Sequence, residues 1–301
     1  MEREIINLIE KEGPLTGSEI KQAIGGDDFV LWKTCKLSEH LLISRTGIRY
    51  LRLDRKVEGL ARLSPSILRE FLTYSVVGSA EDANSLHRKV QEVISRIEEV
   101  SRCKRELACR IVNDVGRRME KEGLREEDAC FILAGDVVYS MAHDVRRPER
   151  STGTLVRGSD LDLVVVVGDD VPADVIKKLD GYIYQEKYRA LKIPNVNEEI
   201  DYIVKRLDRV REQLQFDTFK YKVACKILQE GLFLYGSANT FRAIKIMLSE
   251  SGIARSLEEL EKQAAAFRAR AEEYLLAARP DGEVEEDLHL FYPAEESEEF
   301  E

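Results

Sequence analysis

Residues 157 to 167 read RGSDLDLVVVV, with Asp160 and Asp162 two positions apart at the mouth of a run of Leu and Val. In an extended strand, side chains at i and i+2 leave the same face, so the two carboxylates point together while Leu161 points the other way. Held that close, they repel each other unless a cation lies between them. Mg²⁺ prefers hard oxygen ligands and commonly takes a few carboxylates together with substrate phosphates. Two such ions can activate an attacking hydroxyl and stabilise a leaving pyrophosphate in an in-line displacement. The competing reading is an ordinary polar strand end. Two acids capping an apolar, buried strand are costly without a partner, and this favours the metal site.

The segments around the pair read as a mixed α/β unit. CFILAGD is a strand ending in Gly135-Asp136, VVYSMAHDV a short helix and RRPERSTGTLVRGS a loop. DLDLVVVV is a strand, DVIKKLDGYIYQEKYRAL a helix and EEIDYIVKRL a second strand carrying Asp201. The loop before the aspartates holds Arg146, Arg147, Arg150 and Arg157 with Ser151, Thr152 and Ser159. These are guanidinium and hydroxyl donors of the kind that grip phosphate; the alternative is a solvated loop. Histidine side chains titrate near neutrality, so His143 suits either a general base or, the favoured reading, a structural hydrogen bond. Lys220 and Lys222, in FDTFKYKVACKIL, either present an ammonium to phosphate or lie on the surface.

Ser159-Asp160-Leu161-Asp162 followed by Leu163 to Val167 resembles the D-x-D strand of the nucleotidyltransferase superfamily related to DNA polymerase β. ACKILQEGLFLYGS resembles the helix-then-turn segment that closes the catalytic domain in many small members, so the resemblance covers residues 105 to 240 or so. It implies a third carboxylate on a neighbouring strand, and Asp201 holds the matching place. It further implies Asp160, Asp162 and Asp201 as catalytic and metal-binding residues, with Mg²⁺ or Mn²⁺, two ions in all, as cofactor. The expected donor is an NTP, with ATP favoured, and the acceptor is a hydroxyl on an RNA end, a protein or a small molecule. Members of the superfamily hold the triphosphate on a Gly-Ser or Gly-Gly pair at a helix start. This sequence departs from that pattern. Gly135-Asp136 has the strand-to-helix setting but lies 25 residues before Asp160, while Gly153-Thr154 is well spaced but follows Pro148-Glu149 where Gly-Ser belongs. With Gly135 as the family glycine, the nucleotide site is expected to draw on Gly135, Asp136, Arg150, Ser151, Thr152, Gly153, Arg157, Ser159 and Lys222.

The elements upstream have their own signature. EREIINLIEKEG, LTGSEIKQAIG and DDFVLWKTCKLSEHL have helical spacing, the second with Thr16 or Ser18 as cap candidates and the third opening with Asp27 and Asp28. LISRTGIRYLRLD alternates around Thr46-Gly47, a turn signal for a hairpin. Helix, helix, helix, hairpin resembles a winged helix-turn-helix, which implies nucleic acid as a partner, with Arg45, Arg49 and Arg52 meeting phosphates. Residues 1–56 carry ten Lys/Arg against nine Asp/Glu, a weak charge signal for that role, and a protein-binding module or a lid is the alternative. SPSILREFLTYSVVG reads as a helix capped at Ser64-Pro65, and a long helix follows from Ala83 to about Glu122, stopped by Gly123. ELEKQAAAFRARAEEYLLAAR is an Ala-rich helix of alternating charge.

At 301 residues two or three modules are expected. The expected architecture is α/β of the α+β kind: a winged-helix-like domain at 1–60, a helical connector at 61–125, a nucleotidyltransferase domain at 126–245, a C-terminal helical segment at 246–280 and an acidic tail at 281–301. The tail's ten acids equal the net charge of −10, so the rest of the chain is balanced. Such a tail reads as solvated, with docking of its LHLFY patch on a partner as the alternative. Five scattered cysteines without a C-x-x-C pair point to reduced thiols rather than zinc or disulfides. There is no apolar run of membrane-spanning length, and the acidic start is unlike a signal peptide, so a cytoplasmic protein is expected. The rival to the transferase reading is a nucleic-acid-binding regulator whose transferase domain senses nucleotide without turning it over.

Overall fold

Apolar residues at three- and four-residue spacing set the helices and short β-branched runs set the strands. The computed structural model describes residues 1–149, 152–277 and 288–291. Arg150, Ser151 and most of the acidic tail therefore lie outside the described residues. The described chain mixes helix and sheet and divides into two compact units, residues 1–96 with the segment from Leu260 on, and residues 97–259. No described helix is long and apolar enough to cross a membrane.

The first unit opens with α1 (Glu2–Glu12), β1 (Leu15–Thr16), α2 (Gly17–Ile24) and α3 (Asp28–Leu37). Thr16 caps α2 in a reciprocal box with Glu19, and Asp27 caps α3 by accepting the Val30 N–H. β2 (Leu41–Arg45), β3 (Tyr50–Leu53), β4 (Ala61–Ser64), α4 (Ile67–Thr73), β5 (Ser75–Ser79) and the start of α5 (Ala83–Glu120) follow. The expected β2–β3 hairpin is corrected here. β2 pairs antiparallel with β5, in a sheet ordered β1-β5-β2, and β3 pairs with β4. A tight hairpin at Thr46-Gly47 needs positive φ, which neither residue has, whereas the β3–β4 connection turns at Gly59 with φ 78°.

The connector expected at 61–125 is mostly helical, but residues 61–64 and 75–79 are strands. Val76 and Val77, fully buried, make β5 the central strand of its sheet. The cap of α4 is Ser66, which accepts from Arg69 N, rather than Ser64-Pro65. Arg49, expected to meet phosphate, lies inside this unit: its guanidinium holds Glu70 at 2.6 Å and Glu272 at 2.6 Å. In the tail, Phe291 is fully buried against Phe29 and Trp32, at ring distances of 5.3 and 5.4 Å, so the tail is not solvated at this residue.

The second unit is built on β6 (Ala129–Ala134), a two-stranded hairpin of β7 (Arg146–Pro148) and β8 (Leu155–Arg157), β9 (Leu161–Val167), α6 (Ala173–Lys192), β10 (Ile200–Arg206), α7 (Leu207–Gln213), α8 (Phe219–Glu230), β11 (Leu232–Gly236), α9 (Ala238–Glu250) and the start of α10 (Ile253–Ala277). The four-stranded sheet is ordered β10-β9-β6-β11, with β9 and β10 parallel and the other neighbours antiparallel. Leu161, Leu163, Val165 and Val167 pack one face against Val112, Val115 and Met119 of α5 and Leu179 and Ile183 of α6. The alternate residues, Asp162 first, therefore belong to the opposite face. Residues 137–145, expected as a short helix, form successive turns closed by Val138 N→Gly135 O and Tyr139 N→Asp136 O. Two β-branched valines and a positive φ at Ser140 work against helix propagation there. Burial pushes the thiols of Cys35, Cys130 and Cys225 up to about 12, as suits structural cysteines.

Lys205 on β10 is a buried cation, held by Gln213 Oε1 at 2.8 Å, and burial lowers its pKa to about 8. Between pH 8 and 10.5 the unfolded chain then binds more protons at this lysine than the folded one, so stability rises with pH in that window. Relative to Lys205→Met, the natural protein should gain roughly 2 to 3 kcal/mol across it. Urea unfolding of both proteins at pH 7.5 and 10 measures the difference; parallel behaviour would refute the buried charge.

Candidate metal centre

The site forms where β9 and β10 begin and β6 ends. Strand register places Asp162 opposite Asp201 on one side and opposite Ala134 on the other. Asp160 stands one residue before β9, two positions from Asp162, as the strand argument requires. One carboxylate oxygen from each of Asp160, Asp162 and Asp201 lies within 4.8 Å of the others, and all three residues are half-buried. Gly135, directly after β6, has φ 74°, and a Cβ there would sit 2.0 Å from Asp162 Oδ2. Only glycine satisfies both that backbone and that approach.

The chain's own cations brace this group. Arg147 of β7 uses its whole fork: Nη1 contacts Glu199 Oε2 at 2.7 Å, Nη2 lies 3.5 Å from Asp160 Oδ2, and Nε donates to Gly158 O at 2.8 Å. Lys187 of α6 reaches Asp201 Oδ1 at 2.7 Å. Burial pushes the Asp160 carboxyl above its ordinary range; Arg147 opposes the shift, and Asp136 and Asp201 reinforce it. Burial raises Glu199 in the same way, again against Arg147. Ser159 Oγ donates to Asp136 Oδ2 at 2.9 Å and accepts the His143 N–H at 3.2 Å, tying the turns after β6 to the start of β9. His143 thus contributes its backbone to the site's frame, and its O lies 1.8 Å from where a Gly158 Cβ would be.

The expected nucleotide-binding residues are distributed differently. Gly135, Asp136 and Ser159 stand at the carboxylates, but Gly135-Asp136 opens a series of turns and not a helix. Gly135 N–H donates to Glu230 Oε1 at 3.3 Å, and the same carboxylate takes the Tyr139 hydroxyl at 2.6 Å and Lys226 at 2.5 Å. Thr152 and Gly153 close the β7–β8 turn on Glu149, through Thr152 Oγ1→Glu149 Oε2 at 2.6 Å and Gly153 N→Glu149 O at 2.8 Å. Arg157 is exposed and pairs across the hairpin with exposed Arg146. In the alternation of β7, that is the face opposite to Arg147. Lys222 lies over Phe216 at 5.7 Å, so the lysine near Gly135 is Lys226, one helical turn later.

The donor set suits a hard divalent cation: three carboxylates, with neither imidazole nor thiolate among them. Compared with known proteins, the chain matches no protein-family model, no curated protein and no solved structure. Among the residues that the reading of the sequence passed over, Glu199 carried a signal. In EEID it precedes Asp201 by two, the same same-face spacing that singles out Asp160 and Asp162. Lys187 carries none beyond its charge, because the packing of α6 on β10 selects it; Arg147 reads only as one of four loop arginines able to grip phosphate, and the alternation of a three-residue strand is what turns it to the carboxylates.

Glu199 is 6% exposed, so Arg147→Ala strands a buried carboxylate and should destabilise the protein by about 2 to 3 kcal/mol. Adding Glu199→Gln should return part of that loss, as a double-mutant cycle by denaturant unfolding would show. Strictly additive losses would mean that the pair is not coupled.

Proposed function

We propose that the second unit is a metal-dependent nucleotidyltransferase, moving a nucleoside monophosphate from an NTP, with ATP favoured, to an acceptor hydroxyl. The observation that carries this reading is the meeting of Asp160, Asp162 and Asp201 at adjoining strand ends, on one face of the sheet. The three residues fit Mg²⁺ or Mn²⁺, and the absent Cβ of Gly135 makes room for the Asp162 carboxylate. When bound, such ions supply the positive charge that stabilises an in-line displacement at the α-phosphorus.

Asp160, Asp162 and Asp201 would hold the cations, and Arg147 fixes Asp160 in place. Asp201, from the neighbouring strand, orients the acceptor hydroxyl and takes its proton. The acceptor oxygen forms a bond to the α-phosphorus, the bridging P–O bond to the β-phosphate breaks, and pyrophosphate departs. Lys187, released from Asp201, is within reach of the developing negative charge.

A second reading, a nucleotide-sensing regulator that also binds nucleic acid, is favoured by Glu230. Its carboxylate already takes the Gly135 N–H, the backbone donor that a triphosphate aligned for transfer would need and a nucleotide bound only for sensing would not. Incubation with NTP labelled at the α-phosphate, Mg²⁺ or Mn²⁺, and fractionated RNA or protein separates the two. Transfer of label that Asp160→Asn with Asp162→Asn reduces by more than about a hundredfold supports the transferase. Transfer that survives the double variant removes these aspartates from the chemistry, and tight NTP binding without transfer selects the sensor.

A further inference from the structure

Helix α6 carries two tyrosines that no core requires. Tyr184 is 60% exposed and Tyr188 is 56% exposed, one helical turn apart on the same face. Between them on that face is Lys187, whose ammonium reaches Asp201. Tyr184 lies within electrostatic reach of Tyr202, the residue after Asp201, and the Tyr202 hydroxyl donates to Asp180 O of α6 at 3.3 Å. Lys192 lies over the Tyr188 ring at 5.6 Å. The stripe thus passes the carboxylate group at Lys187 and runs along α6 beside the edge strand β10. From Tyr184 to Lys192 there are three basic residues, Lys187, Arg189 and Lys192, against one acid, Glu186. That acid is buried between Arg118 at 2.6 Å and Arg189 at 3.8 Å, and Lys187 is held by Asp201, so the exposed charge of the stretch is that of Arg189 and Lys192.

Exposed rings interleaved with lysine and arginine suit one class of ligand. Unpaired bases stack on aromatic faces whatever their sequence, and the phosphates between them meet the cations. A rise of 1.5 Å per residue sets the two rings about 6 Å apart along the helix, room for one base on each. A polyproline segment also docks on aromatics, but it offers nothing to Arg189 and Lys192. We propose that Tyr184 and Tyr188 form a stacking ledge for a single-stranded nucleic acid, which leads its 3′ end to Asp201. The ledge itself stands on α6 alone; the destination of the strand's end rests on the transferase reading, and makes the acceptor an RNA or DNA 3′-hydroxyl.

The test is fluorescence anisotropy of dye-labelled single strands of about ten nucleotides. One arm uses RNA, one DNA, and a proline-rich peptide of equal length is the third. The full-length protein is used at low salt, without NTP or divalent ion. The protein should bind an RNA or DNA strand, the tighter arm identifying the sugar. Tyr184→Ala with Tyr188→Ala should weaken binding about 25-fold or more, given roughly fivefold or more per ring. Tyr184→Phe with Tyr188→Phe should keep it, since stacking needs the ring and not the hydroxyl. Asp160→Asn with Asp162→Asn should bind as the natural protein does, so loss of transfer leaves the ledge standing. Unchanged binding by the alanine variant, no binding of either strand, or binding of the peptide alone would overturn the proposal.

Discussion

Three carboxylates drawn to one point are the constraint around which the second unit is arranged. With oxygens within 4.8 Å, each ionised pair repels by about 3 kcal/mol at an effective dielectric near 20. The register of β9 against β10 fixes this crowding, since Asp162 cannot leave Asp201 without slipping the whole parallel pair. The sheet can hold that register because the opposite face of the same strands is continuous Leu and Val, packed on α5 and α6. One face thus supplies the stability and the other carries the charge.

Two kinds of device manage the repulsion. Arg147 and Lys187 act as resident counterions on Asp160 and Asp201, each from an element outside the sheet, the β7–β8 hairpin and α6. Burial and neighbouring acids hold Asp160 above its ordinary range, so it gains from any further positive charge. In the proposed function a divalent cation provides that charge, and the resident cations turn to substrate phosphate. Glu230 plays a comparable part on the other side, where it occupies the Gly135 N–H, Tyr139 and Lys226 together. A phosphate at Gly135 has to displace that carboxylate, and the transferase and sensor readings differ in whether it does.

What the sequence discloses depends on how local the physics is. Asp160, Asp162 and the strand beneath them are legible because period-two alternation is a property of consecutive residues. The strands at Ala129–Ala134, Leu161–Val167 and Ile200–Arg206 were readable for the same reason. Asp201 entered only through a resemblance, and the register that brings it to Asp162 is a contact between segments far apart in the chain. SVVG reads as the end of a helix because two valines and a glycine carry no sign of the β1 and β2 partners that make this segment a central strand. The Thr46-Gly47 turn signal was locally sound, but β2 found its partner in β5, and the chain had no need to fold back. Arg157 and Lys222 had the right chemistry and the wrong direction, since hairpin alternation and helical phase turn Arg147 and Lys226 inward instead.

The most direct measurement is anomalous diffraction from crystals grown with Mn²⁺. The expected result is an anomalous peak bounded by Asp160, Asp162 and Asp201, at about 2.0 to 2.2 Å from their oxygens, with the Lys187 ammonium withdrawn from Asp201. Crystals saturated with Mn²⁺ that show no peak there, with Lys187 still on Asp201, would contradict a metal centre at these strands.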